Sequence, residues 1–322
     1  MIQRIGGRHR VSLGVLFGLL LIGPPFLSSF LLTLATQAVI YAILAMSLDI
    51  ILGYTGLASL GHAAYLGLGA YSVAILTTRH GGRFWITLVV GVLVATAVAA
   101  IFGLVALRAT GVYFLMITLA LGMVVWGLAH RWVSVTQGDN GISSVPRPTG
   151  LPWSLTESLP FYYFALAGFA VALGVLGTIV RSPFGRTLVG IRESESRMRT
   201  LGYNVWLHKY LGFVIAGGVG GFAGVYWAYY NGFVSPSDLE LSTSVEILLM
   251  VALGGRGTLL GPALGAALIV FLKNVVSVYT HRWLLILGAV YIGTIVYAPE
   301  GIVGAVRQWT RGTRPEPLRS KA

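Results

Sequence analysis

Chemistry in this 322-residue chain has to come from few parts: ten acidic side chains, six histidines and no cysteine. Four polar side chains stand inside otherwise apolar runs. Asp49 lies in LDIILGYTG, Ser59 and His62 in ASLGHAAY, and Glu246 in TSVEILLMVALG, with Gln37 a weaker fifth. Polar groups at such positions are costly and ordinarily face a cavity or a partner. His62 can be a neutral imidazole bonded to a carbonyl or to Ser59 and holding a helix break, or it can line a path for solute. Asp49 can be an interfacial carboxylate or part of a proton relay. Glu246 opens an apolar run and can cap that helix through its dipole. No H-E-x-x-H, no G-x-S-x-G and no evident pair of catalytic carboxylates occurs, which argues against an intramembrane enzyme. Without cysteine there are no disulfides, thiolate metal sites or cysteine nucleophiles. Neither a metal nor a cofactor is expected.

Phosphate chemistry is missing too. No G-x-x-x-x-G-K-[ST] cradle occurs, so if ATP drives this protein another chain must bind it. GGVGGFAG, 217–224, lacks the dinucleotide spacing and sits in an apolar run. Gly217/Gly221 and Gly220/Gly224 read instead as small-xxx-small packing positions.

The densest charge is in RESESRMRTLGYN, 192–204, where five of the first eight residues are ionised in a chain whose charged share is 10%. Glu193–Arg197 and Glu195–Arg199 are i,i+4 pairs in acid-first order, each worth about 0.2–0.5 kcal/mol on an exposed helix. Leu188, Ile191, Met198 and Leu201 share one stripe at helical spacing. Gly202 is placed to end the helix and Asn204 to turn the chain. One short amphipathic helix over 188–202 is predicted. It can rest on lipid headgroups, connect as a solvated segment, or dock a soluble partner.

The elements that position these groups are transmembrane. A hydrophobic share of 56% and a mean hydropathy of +0.82 exceed those of soluble domains. Apolar runs near 11–32, 34–53, 58–77, 85–107, 112–130, 160–180, 209–231, 244–256, 258–273 and 283–304 predict an all-α bundle of about ten helices. The first is read as a retained helix, since no small-x-small cleavage site follows it. The eighth and ninth are short and read as half-helices meeting at GGRGTLLGP, a break tolerated only where protein buries it or a cavity borders it. The net charge of +12 sits at the ends of these runs, so it points to membrane orientation rather than to nucleic acid. Arg4, Arg8 and Arg10, the cluster from Arg181 to Lys209, and the tail from Arg307 to Lys321 fall on one side, cytoplasmic by the positive-inside rule. Arg131, Arg147, Lys273 and Arg282 fall on the other side, with loop 131–159 and SPSDLELS, 235–242. The organisation expected is a cytoplasmic segment 1–10, a membrane domain 11–304 with a charged loop 182–208, and a basic tail 305–322.

The stretch from RSPFGRTLVGIRESESRMRTLGYN through NGFVSP, 181–236, closely resembles the cytoplasmic coupling loop and following helix of branched-chain amino acid ABC transporter permeases. LDIILGYTGLASLGHAAYLGLGAYSVAIL (48–76), LRATGVYFLMITLALGMV (107–124), TQGDNGISSVPRP (136–148) and LLMVALGGRGTLLGPALGAALIVFL (248–272) resemble further signatures of that family, in order. The resemblance implies a type II importer-like fold in a bacterial inner membrane, with both termini cytoplasmic. The partners it implies are two ATPase subunits, a second homologous permease, an extracytoplasmic solute-binding protein and membrane lipid. It implies that Ile191, Arg192, Glu193, Glu195, Arg197, Met198 and Arg199 form the ATPase-coupling helix, with Leu201 and Gly202 anchoring it. Ser59, His62, Asp49 and Glu246 become candidates for the translocation path, with Asn or Asp alternating at position 49 in the family. Asp139, Asn140, Asp238 and Glu240 become candidates for docking the binding protein, or solvated loop residues. The substrate implied is a branched-chain or other small amino acid; urea and short amides are served by the same family. An ATP-independent secondary transporter is the remaining alternative, to which Asp49, His62 and Glu246 would supply the relay.

Overall fold

The computed structural model describes residues 21, 23–148, 155–280, 285–286, 288–289, 292–293, 301–302 and 304. Among them are eleven α-helices and no strand, only an isolated antiparallel bridge between Ile142 and Val234. The long helices are α1 (Ser29–Asp49), α2 (His62–His80), α3 (Phe84–Ala106), α4 (Val112–Arg131), α6 (Ser158–Arg181), α9 (Val205–Asn231) and α11 (Leu260–Tyr279). Between them lie α5 (Val133–Thr136), α7 (Pro183–Glu193), α8 (Glu195–Thr200) and α10 (Leu241–Gly254). Six are long and apolar enough to cross a membrane: α1 with its extension to Thr55, α3, α4, α6, α9, and α11 to Val278.

Burial separates a centre from a shell. From Val39 to Thr55 every residue of α1 and its π-helical continuation Ile50–Thr55 is buried, as an all-round apolar helix must be. The outer faces of α3, α4 and α6 expose Leu93, Ile101, Val124 and Val171, an apolar surface that only lipid or another apolar chain tolerates.

Helix α9 explains the glycines. Gly217 meets Ala99, Gly221 meets Ala95, Gly103 meets Phe213 and Gly91 meets Val225, so two antiparallel helices touch at every fourth residue. Gly220 and Gly224 face α2 instead, against Tyr65 and the Leu66 carbonyl. Each small-xxx-small pair thus serves a different neighbour, letting backbones approach where lipid gives no hydrophobic drive.

Several expectations need correction. The count of about ten is not matched: eleven helices are present among the described residues, six of them candidate spans. The expected first run, 11–32, is described only from residue 21 onwards, and most of the last, 283–304, lies outside the described residues. The third expected run, 58–77, is a non-helical segment over 56–61 followed by α2, which begins at His62. Only one partner at the Gly/Pro break is short. Helix α10 has 14 residues, but α11 has 20, about 30 Å of helix. The two form a tight antiparallel hairpin, with Gly254 against Gly261 and Gly265 against the Met250 carbonyl.

Candidate functional site

At the end of the bundle that carries α7 and α8, three separate segments are tied in one knot. Asp49, fully buried, accepts from Gly257 N–H at 2.7 Å and from Leu259 N–H at 3.2 Å, so the end of α1 clasps the α10–α11 loop. A buried carboxylate needs such bonds. Gly257 has φ +73°, and Leu259, not a glycine, has φ +54°. Such a residue costs of order 1–3 kcal/mol of backbone strain, sustained only where its surroundings hold it. Thr258 closes the loop by donating to the Gly255 carbonyl at 2.7 Å and accepting from Gly261 N–H at 3.1 Å. Any side chain on Gly53 would collide with Asp49 and the Gly257 nitrogen. The Gly53 carbonyl receives the Arg192 guanidinium from the last turn of α7. Asp49 is therefore a clasp and not an ordinary interfacial carboxylate.

The predicted 188–202 helix is two helices. Ser194 is extended (φ −163°, ψ 103°), ends α7 and caps α8 by accepting from Arg197 N–H at 3.4 Å. Serine competes for backbone bonds and favours this cap, so Glu193 and Arg197 share no helix face. Arg199 approaches Glu195 at 3.7 Å, but Glu195 also pairs with Lys209, whose ammonium is buried at the start of α9. Leu188 and Ile191 are buried in the bundle, and Met198 packs on Gly190. Leu201 was expected to anchor and does not; it is 66% exposed. Gly202 takes φ +85° in a Schellman turn, with Gly202 N–H to Arg199 and Tyr203 N–H to Met198. Asn204 caps α9 through Leu207 N–H at 3.0 Å. Glu193, Arg197 and Arg199 are exposed.

A second polar group sits at the buried break before α2. His62 Nε2 bonds Ser47 Oγ at 2.7 Å, not Ser59, and its Nδ1 meets no partner among the described residues. Ser244 on α10 accepts from Ala63 N–H at 3.0 Å, and Thr118 on α4 accepts from Leu60 N–H at 3.2 Å. Buried Ser59 accepts from Gly61 N–H at 3.4 Å. Side chains from two helices, α10 and α4, together with Ser59 in the break itself, thus meet backbone donors that the broken helix leaves without partners.

Glu246 lies in the second turn of α10, too far in to cap it. Both its oxygens accept from Lys273 on α11, at 2.8 and 3.0 Å. Beside them Asn274 donates to Gln37 at 3.4 Å.

At the opposite end of the bundle the Ile142–Val234 bridge, with N–H···O distances of 2.8 and 3.0 Å, joins loop 137–145 to loop 232–240. Asp139, Asn140 and Glu240 are exposed there, with Asp139 2.7 Å from His130 Nδ1. Asp238 turns inward and accepts from Trp227 Nε1–H at 3.0 Å and Ser235 N–H at 3.1 Å. Burial pushes its carboxyl above the usual range, opposed by those two bonds.

Sequence reasoning missed Ser47, Gly53, Lys209, Gly257 and Lys273 as partners. Each pairs across 14 to 208 positions, and no local spacing marks such pairs.

The profile described as "Branched-chain amino acid transport system / permease component" matches residues 30–295. The high-affinity branched-chain amino acid transport system permease protein LivM of Escherichia coli K12 is 30% identical, over 93% of this chain and 76% of its own length. A probable branched-chain amino acid transport permease of Methanocaldococcus jannaschii is 23% identical over 82% of this chain and 90% of its own. An autoinducer 2 import system permease of Enterobacter is 27% identical over 85% and 78%. No solved structure matches significantly. The chain is a membrane-spanning transport permease and belongs to the branched-chain amino acid transport permease family.

Proposed function

We propose that this chain is one of two membrane subunits of a bacterial ABC importer for branched-chain or other small amino acids, worked from the cytoplasm by separate ATPase subunits through α7 and α8. The observation that carries this reading is the contact of Arg192 with Gly53, one turn from the Asp49 clasp. A push on α7 reaches α1, the non-helical segment leading to α2, and the α10–α11 loop together. Exposed Glu193, Arg197 and Arg199 offer the ATPase a charged surface, while buried Leu188 and Ile191 seat α7 in the bundle.

The basic clusters put the α7–α8 end in the cytoplasm. The paired loops at the other end then face a solute-binding protein, with Asp139, Asn140 and Glu240 on offer. Exposed charges of this kind act on encounter rate and specificity more than on affinity. Asp238, locked to Trp227, holds its loop in place instead. An amino acid is favoured as the substrate class because the relatives named for branched-chain amino acid transport include the one with the highest identity quoted above.

Gentle purification of the tagged chain from native membranes tests the reading. Co-purification of a phosphate-loop ATPase and a second permease is expected. A chain that arrives alone and still moves solute in liposomes overturns it.

A further inference from the structure

Resting on that reading, we propose that the Glu246–Lys273 ion pair is an exchange station for the substrate's main chain: Glu246 takes the α-ammonium and Lys273 the α-carboxylate of a zwitterionic amino acid. The pair sits between α10 and α11 in an apolar bundle. The Glu246 side chain is 6% exposed and the Lys273 side chain 32%, so the pair opens to the subunit's surface on the lysine side. Buried ion pairs often stabilise a fold no better than apolar side chains of the same size. Ionisable groups inside an apolar helix bundle are costly and are candidates for a solute pathway.

The chemistry selects one class of solute. An α-amino acid carries one ammonium and one carboxylate on adjacent atoms. When it enters, the internal Glu–Lys pair is replaced by two pairs of the same sign pattern, and the site is neutral before and after. A lone amine or a lone carboxylate would leave one buried protein charge without a counter-charge. A neutral amide would have to separate the pair and give neither charge a partner. The substrate question that the motifs leave open, amino acid or urea and short amide, is thereby decided for the zwitterion. At rest the two groups hold each other at 2.8 and 3.0 Å and keep the position shut to single ions. Gln37 and Asn274, hydrogen-bonded beside them, add neutral donors and acceptors.

The station is also linked to the knot. Helix α10 runs two turns from Glu246 to Gly254, directly before the loop that Asp49 clasps. A displacement there changes the α10–α11 crossing and with it the Glu–Lys separation.

The test uses the complete importer in liposomes, with its ATPases, second permease and loaded binding protein at saturation, and reads leucine moved per ATP hydrolysed. Glu246→Gln with Lys273→Met removes both charges of the pair together. The expected result is at least a tenfold fall in leucine per ATP, with assembly and stimulated hydrolysis within twofold of wild type. An unchanged ratio overturns the proposal and leaves the pair structural. If the double variant does not assemble, Glu246→Asp decides, since it keeps the charge but draws the carboxylate back. At least a threefold fall in the ratio supports the station, and an unchanged ratio removes it. A wild-type assembly that moves only neutral amides would sink the station and leave the ABC reading standing. A wild-type chain that recruits no ATPase would sink the reading itself.

Discussion

Helices α7 and α8 follow each other with one residue between them, both carry charge, and they are held in opposite ways. Helix α7 buries Gly185, Thr187, Leu188 and Ile191 and ends with Arg192 on the Gly53 carbonyl. Helix α8 buries none of its six residues and is tied to the bundle through Glu195 and Lys209. The first is a limb of the membrane domain; the second is a surface on a tether. A device that transmits a push needs both, a stiff member joined to the load and a face that can fit its driver.

The stiff side breaks most severely at the clasp. Asp49→Ala orphans the Gly257 and Leu259 N–H groups, each costing about 1–3 kcal/mol when buried without a partner. The melting temperature of the purified chain should fall sharply, while Asp49→Asn, which keeps an acceptor oxygen, should cost less. Equal melting of Asp49→Ala and wild type would show that the clasp holds nothing.

The tether should fail asymmetrically. The Lys209 side chain is 7% exposed and that of Glu195 36%, so losing the carboxylate strands a buried ammonium, whereas losing the lysine leaves a carboxylate that can turn to water. Breaking a buried pair from one side costs about 3–5 kcal/mol, and partial exposure of Glu195 reduces that here. Glu195→Gln should therefore destabilise by about 2 kcal/mol and Lys209→Met by less. Both should raise amide hydrogen exchange over 195–200 and leave 183–193 protected. Equal costs for the two variants, or loosening of α7 as well, would erase the distinction between limb and tether.

What the sequence disclosed follows the same division between local and distant. The terminating glycine at 202 and the small-xxx-small spacing of the α9 glycines were readable from residues four or fewer apart, whereas the neighbours those glycines meet on α2 and α3 were not, and Asn204, read only as a turn residue, caps α9. The break at Ser194 was hidden because its helix-like charge spacing, Glu193 to Arg197, runs straight across it. Arg192, expected to contact a partner, is exposed and also reaches the Gly53 carbonyl, 139 positions away, which no local spacing marks. Lys273 was counted only as a basic residue on the outer side, because its pairing with Glu246 appears only once α10 and α11 fold back on each other. Membrane class and family were thus legible from pattern, and the joints of the mechanism were not.

At the opposite end a smaller effect is expected. Asp238→Asn keeps one acceptor for Trp227 or Ser235 and loses the other, so about 1 kcal/mol should go. Its pH dependence has a definite sign. The folded-state pKa of Asp238 is raised, so the folded protein holds that proton more tightly than the unfolded chain does. The wild type should gain stability relative to the variant as pH falls through the raised value, and the gain is complete below the unfolded value of about 3.9. Parallel stability–pH curves for the two proteins would show that Asp238 is not buried in the way described.

The adaptable side should give the smallest effect on folding and a large one on work. Arg197 is exposed and belongs to the helix that buries nothing, so Arg197→Glu should change stability by no more than about 0.5 kcal/mol. Glu193→Lys, exposed on the last turn of α7, should behave alike, because the Gly53 contact is made by Arg192. Yet each reverses a charge on the face proposed to meet the ATPase, where like charges brought together would be repelled. ATP-driven uptake should fall several-fold while the melting temperature and membrane insertion stay put. The two readouts separate a surface from a limb: a variant of the limb lowers both together, and a variant of the surface lowers only the work. Unchanged uptake in both charge reversals would move the ATPase contact off α8 and the end of α7, leaving the buried knot with no identified driver.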